Sequence, residues 1–206
     1  MAATKRFSTV ARWFRALLRQ DDQAFLPLRR VVHAERPDPA SASGWAIQFD
    51  ASTTGGGAIL RHGTKIYEFF EIAWTAESAG HLGVEPGLPK FMPFWEFLTL
   101  VLALCVWGSQ FVAHSVAVLG DNTAALTDAL QLKGGGQLMA VARELAWRQA
   151  RFGWSFAVGH VPSESNGVPD ALSRTTEASG PAYPRLALRH AVEVKPPVLY
   201  GFWKVR

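Results

Sequence analysis

Cysteine is all but missing from this chain. The one example, Cys105, lies within the apolar run FLTLVLALCVW. A lone buried cysteine excludes a disulfide framework and a cysteine-built zinc site, and it fits a reducing compartment. Long hydrophobic runs are scarce too. FLTLVLALCVW is the longest, and it reads as too short to span a bilayer, so a buried core helix is expected there and no membrane partner. Acidic residues are absent from the first twenty positions, where arginine recurs. A mitochondrial transit peptide has that composition. The GGG runs at 55–57 and 134–136 lack a following Lys-Ser/Thr pair, so neither is a phosphate loop and both read as turns. No G-x-S-x-G elbow occurs. His62, His81, His114 and His190 show no metal-ligand spacing.

What is present suits one globular domain with extensions, or at most two small ones: 206 residues, 49% hydrophobic and 18% charged. A formal charge of +4 permits an anionic partner without requiring one. The pattern of Phe7, Val10, Phe14, Leu17 and Leu18 predicts a helix over 5–19. Residues 34–44, AERPDPASASG, have linker composition. Strands are predicted from Trp45 to Asp50, over AILRHG and over KIYEFFEIAW, forming an antiparallel meander with TTGGG as its first turn. A Gly- and Pro-rich loop covers about 76–92. A helix follows from Pro93 to about Trp107, with proline in its first turn. Then come a strand in HSVAVLGD, helices in NTAALTDALQ and LMAVARELAWRQARF, a strand in WSFAVGHV, and a short helix starting near Asn166. The result is an α/β fold with five strands, the first three antiparallel. The proline-dotted tail after Arg174 carries aromatic residues, which suggests docking.

Four carboxylates stand in settings where burial is costly without a partner. Asp50 ends the apolar strand GWAIQFD, where an Asx-turn or a cap is the plain alternative. Glu96 sits in an apolar helix with no Lys or Arg at i+4, since position 100 is leucine. Its plain alternative is a favourable place in a first helical turn. Asp121 ends SVAVLGD, where Asp and Asn are good helix caps. If the first and fourth strands are neighbours, Asp50 and Asp121 converge at their C-terminal ends. Asp170 falls in the early turns of the last helix. His160 precedes it in a loop, either as an exposed residue or as a proton shuttle. Oxygen-only ligands in such a group suit hard divalent cations.

The order and settings of these residues resemble a type 1 ribonuclease H domain, most nearly that of gypsy-type and related retroelement reverse transcriptases. FDASTTGGGAIL is similar to the first strand and turn of that family. FWEFLTLVLAL is similar to its glutamate-bearing helix, and LGDNTAAL to its second aspartate. HVPSESNGVPDALSR is similar to its closing motif, with Pro169 where the family usually has alanine. The likeness covers residues 45–174. KRFSTVARWFRALL is similar to the helix preceding ribonuclease H in those polyproteins. No Tyr-x-Asp-Asp polymerase motif occurs.

The resemblance implies a ribonuclease H-like fold and three segments: 1–44, a basic helix and linker; 45–174, the nuclease domain; and 175–206, a tail. It implies an endonuclease cutting the RNA strand of RNA–DNA hybrids, as part or remnant of a reverse transcriptase whose polymerase part is a candidate partner. Asp50, Glu96, Asp121 and Asp170 would hold two Mg²⁺ ions, with Mn²⁺ as a substitute, and His160 would move protons near the second ion. Ser52, Thr53, Gly55, Gly56, Asn122 and Asn166 are the substrate-contact candidates. The expected setting is cytoplasmic or nuclear, with mitochondrial import as the lesser alternative. The rival reading is a catalytically inactive ribonuclease H-like module that binds nucleic acid or serves assembly.

Overall fold

The computed structural model describes residues 44–80, 82–111, 115–132 and 136–197, together with Ala11 and Arg15. Of the helix predicted over 5–19, only Ala11 and Arg15 are described, and both are helical. The linker at 34–43, His81, His114, and Phe202 and Trp203 of the tail lie outside the described residues.

Three strands open the domain: β1 (Trp45–Ala51), β2 (Gly55–His62) and β3 (Lys65–Ala73). β1 pairs antiparallel with β2, and β2 antiparallel with β3. Short helix α1 (Ala76–Gly80) leads through turns and a 3-10 turn, Pro89–Phe91, into α2 (Met92–Trp107). β4 (Val116–Gly120), α3 (Thr123–Gln131), α4 (Leu138–Phe152), β5 (Phe156–His160) and α5 (Gly167–Ser173) follow. Beyond them lie α6 (Arg185–Leu188) and β6 (Val192–Glu193). The sheet runs β5-β4-β1-β2-β3-β6, with β4 parallel to β1. This is the mixed, helix-flanked sheet of the ribonuclease H-like reading, with six strands rather than five.

The turn after β1 differs from expectation. The three glycines at 55–57 are not in the turn; they open β2 and are buried, and the turn is Ser52–Thr54. The sequence pattern suggested conformational freedom, but closeness of packing is what these positions require. A Cβ on Gly57 would meet the Leu172 Cβ at 2.4 Å, and one on Gly55 the Ser173 carbonyl oxygen at 2.7 Å. A Cβ on Gly56 would meet the Thr99 hydroxyl at 2.5 Å. Alternate strand residues face opposite sides, so α5 lies directly on one face of the sheet and α2 on the other.

The apolar helix is the buried core helix that its sequence suggests, but it is longer than the run FLTLVLALCVW. With its flanking turns it runs from Pro89 to Phe111, which by length and composition alone is enough to cross a membrane. Its most apolar window is 72% buried inside the fold. From Phe94 to Leu104 every side chain is buried, and the helix packs into the main core with Ile47, Phe49, Phe70 and Val118. A smaller core on the opposite face joins Ile59, Phe69, Leu172 and Leu188. Leu188 belongs to the segment expected as a tail, and β6 extends the sheet beside β3.

Candidate metal centre

Parallel pairing of β1 with β4 aligns Gln48 with Leu119. Two residues further along are Asp50, within β1, and Asp121, just past the end of β4, so the two aspartates meet at the same end of the sheet. Glu96 enters from α2, which packs against β1. Asp50, Glu96 and Asp121 each offer an oxygen within 4.8 Å of the others. Asp50 and Glu96 are 4% and 5% exposed, whereas Asp121 is half-buried at the rim.

Glu96 lies beyond the first turn, because the helix begins at Met92. The helix dipole, which acts mainly within the first turn, therefore does not account for it. Its buried Oε2 has no hydrogen-bond partner among the described residues. Burial, then the charges of Asp50 and Asp121, push its carboxyl up to about 9, against a lowering contribution from the Asn122 side chain. Burial likewise raises Asp50 to about 7, although a hydrogen bond from Ser173 opposes the rise. Carboxyls gathered in a buried place resist ionising together, and a hard cation would favour their ionised forms. The donor set is oxygen only, so Asp50, Glu96 and Asp121 fit a divalent ion of the Mg²⁺ or Mn²⁺ kind.

Asp170 does not join this group. Its Oδ1 accepts the Arg174 Nε at 2.7 Å, one helical turn along α5. It is near enough to add to the raising of Asp50. Arg174 also reaches Glu177 Oε2 at 3.3 Å, and Glu177 Oε1 accepts the Thr54 hydroxyl at 2.9 Å. That chain of contacts ties the helix end to the β1–β2 turn.

His160 is the last residue of β5 rather than a loop residue, and it is exposed. It pairs in register with Gly120, which precedes Asp121. Ser163, just beyond, donates its hydroxyl to Asp121 Oδ2 at 2.9 Å.

Most of the substrate-contact candidates are occupied by the scaffold. Ser52 is 2% exposed; its hydroxyl accepts the backbone N–H groups of Thr54 and Gly55 at 3.1 Å and donates to the Ser173 carbonyl at 2.8 Å. Asn166 is fully buried: its Nδ2 donates to the Phe49 carbonyl at 3.1 Å and leans toward Asp50 Oδ1 at 3.4 Å, and its Oδ1 accepts from Gln48 Nε2 at 3.2 Å. Asn122 caps α3 by accepting from the amides of Ala124 and Ala125. Gly55 and Gly56 are buried inside β2, against α5 and α2 respectively. Thr53 stays half-buried in the turn.

Sequence reasoning missed Gln48 and Ser173. Gln48 is 6% exposed, bonds Asn166 and the Ser165 carbonyl, and accepts from Arg61 Nε. Ser173 is 1% exposed and donates to Asp50 Oδ2 at 2.8 Å. The signal for both was a polar residue in an otherwise apolar pattern, Gln48 within GWAIQFD and Ser173 after Leu172.

No family model matches this chain, and no curated protein matches it. Among solved structures it is similar to the ribonuclease H1 of the halophilic archaeon Halobacterium salinarum NRC-1, at 17% sequence identity and a TM-score of 0.41, over 63% of this chain and 94% of that one.

Proposed function

We propose that this chain is a metal-dependent endonuclease of the ribonuclease H type, acting on the RNA strand of RNA–DNA hybrids. One observation carries the reading: Asp50, Glu96 and Asp121 each bring an oxygen within 4.8 Å of the others, and the buried Glu96 Oε2 has no hydrogen-bond partner among the described residues. The chemistry comes from the closing-motif resemblance; the geometry supports a site able to perform it.

Asp50, Glu96 and Asp121 would hold divalent cations, with Asp170 added once it leaves Arg174. When bound, the cations supply a water of lowered pKa and neutralise charge at the scissile phosphate. The residues themselves set the geometry. Asp50 and Glu96 are buried and therefore fixed, and low surrounding polarity strengthens their hold. Asp121 stands at the rim, where a phosphate can approach. His160, exposed at the end of β5, would exchange protons with solvent as product leaves. Thr53 is the turn residue still open to a ribose 2′-hydroxyl, the group by which a protein distinguishes RNA from DNA.

We read the chain as part or remnant of a retroelement reverse transcriptase. The ordered motifs of 45–174 and the basic pattern of 5–19 support that reading.

The test is cleavage of an end-labelled RNA–DNA hybrid by the whole chain in Mg²⁺ or Mn²⁺, beside Asp121→Asn and with duplex DNA as control. We expect hybrid-selective cleavage that disappears in the variant and in chelator. One feature favours the second reading, a non-catalytic binding module: Asp170 is committed to Arg174. A folded chain that binds the hybrid in Mg²⁺ without cutting it would select that reading.

A further inference from the structure

The last turn of α5 touches the acidic group through one buried hydroxyl. Ser173 Oγ lies 2.8 Å from Asp50 Oδ2 and 2.9 Å from the Asp170 carbonyl oxygen. A serine hydroxyl has one hydrogen to donate, so the carboxylate and the helix carbonyl compete for it. The carboxylate is the stronger acceptor when ionised, because charge-assisted bonds are shorter and stronger than neutral ones.

Ser173 is itself held from three sides. Its carbonyl oxygen accepts the Ser52 hydroxyl at 2.8 Å. Gly55 and Gly57 leave no space for a Cβ between β2 and this turn, with the Ser173 carbonyl 2.7 Å and the Ser173 nitrogen 2.8 Å from where such atoms would stand. The side chain is 1% exposed, so water cannot replace the hydroxyl cheaply. Among the described residues, the other oxygen of Asp50 has only the long 3.4 Å approach of Asn166. Ser173 is therefore the strong, rigid contact that sets the rotation of the Asp50 carboxylate.

We propose that Ser173 is a positioning residue, whose hydroxyl fixes Asp50 in the orientation that receives a divalent cation. It does not touch the cation or the substrate; it acts through Asp50. The inference rests on the metal-site reading above and names a residue of this chain that tunes that site. Such outer partners of metal ligands are typically worth about 10- to 100-fold in metal affinity or activity.

The experiment measures Mn²⁺ binding to the folded whole chain, by calorimetry and by the relaxation of water protons, without substrate. Wild type is compared with Ser173→Ala and Ser173→Thr, the latter keeping the hydroxyl, and with Asp50→Asn. The expected result is a loss of about tenfold or more in Mn²⁺ affinity in the alanine variant. Threonine should restore affinity to near wild type, and Asp50→Asn should show no tight binding. Hybrid affinity in chelator should be the same in wild type and Ser173→Ala. If Ser173→Ala does not fold by circular dichroism, Ser173→Cys takes its place, with the same expectation, since a thiol is a weak donor. An unchanged Mn²⁺ affinity in the folded alanine (or cysteine) variant overturns the role of Ser173 while leaving the site intact. So does an equal loss in the threonine variant, which would assign the effect to packing. Absence of Mn²⁺ binding by wild type overturns the metal site and this role together.

Discussion

Glu96 and Asp50 hold their protons more tightly in the folded chain than in the unfolded one. Their carboxyls rise from ordinary values of 4.5 and 3.8 to about 9 and about 7, with burial the main cause in both. Between about pH 4 and pH 9 the unfolded chain has released protons that the folded chain keeps. Stability without cations must therefore fall as pH rises through that window. A bound divalent ion would reverse the balance by favouring the ionised forms, and its binding would release protons. Thermal melts from pH 5 to pH 9 in chelator should show a steady fall in Tm for wild type and a smaller one for Glu96→Gln. At pH 8 the glutamine variant should melt higher than wild type in chelator, and it should gain nothing from added Mn²⁺. A flat wild-type profile would show that Glu96 is not buried as a protonated acid. Arg174 offers a second measurement at this scale. Its pair with Asp170 is partly exposed, 39% and 34% for the two side chains, and i,i+4 pairs of that kind are worth roughly 0.3–0.5 kcal/mol. Arg174→Ala should leave Tm little changed and tighten Mn²⁺ binding by about twofold, the same energy expressed as an affinity. Weaker binding in that variant would mean that Arg174 supports the site rather than competing for Asp170.

The elements themselves were largely legible in the sequence, and the exceptions have physical causes. Periodicity found β1, β3, α2, α3 and α4 because each presents a continuous or regularly spaced apolar set to the core. The convergence of Asp50 and Asp121 followed from one condition, that β1 and β4 be neighbours, which is met. GGG was misread because glycine has two uses, freedom of φ and absence of a side chain, and sequence pattern favours the first. In β2 the second applies, and alternation sends Gly55 and Gly57 to α5 and Gly56 to α2. The difference can be measured. Gly57→Ala forces a Cβ against the Leu172 Cβ and the Pro169 carbonyl, and overpacking of this kind costs about 1–3 kcal/mol. It should also shift α5, which carries Ser173 and Asp170, so Mn²⁺ affinity should fall along with Tm. Gly56→Ala meets Thr99 and Trp74 on the opposite face. It should lower Tm comparably while disturbing the α5 contacts to Asp50 less. Equal losses of Mn²⁺ affinity in the two variants would argue against α5 as the element that sets the site.

At the scale of the whole molecule, the segment after Arg174 decides how far the domain extends. A two-residue strand following a proline-dotted stretch leaves almost no periodicity to read, so the sequence suggested a tail. In the structure β6 pairs parallel with β3 through Glu68↔Val192 and Phe69↔Glu193, and Val194 donates its backbone N–H to the Phe69 carbonyl at 2.8 Å. Leu188, 6% exposed, completes the smaller core with Ile59, Phe69 and Leu172. Full burial of a leucine contributes about 1.5–3 kcal/mol, and α5 packs into that same core through Leu172. Glu177 lies beyond the boundary as well, and with it the link from Arg174 to Thr54. A chain ending at Arg174 loses all of these contacts at once. It should melt well below the full chain, and Leu188→Ala in the full chain should reproduce part of the drop, about 2–5 kcal/mol by the usual cost of such a truncation. Because the lost core supports α5, hydrogen exchange of the backbone amides of Ala171 to Ser173 should quicken more than that of the α2 amides on the far face. If the shortened chain keeps the Tm of the full one, the segment rests on the domain without supporting it, and the domain ends where the closing motif does.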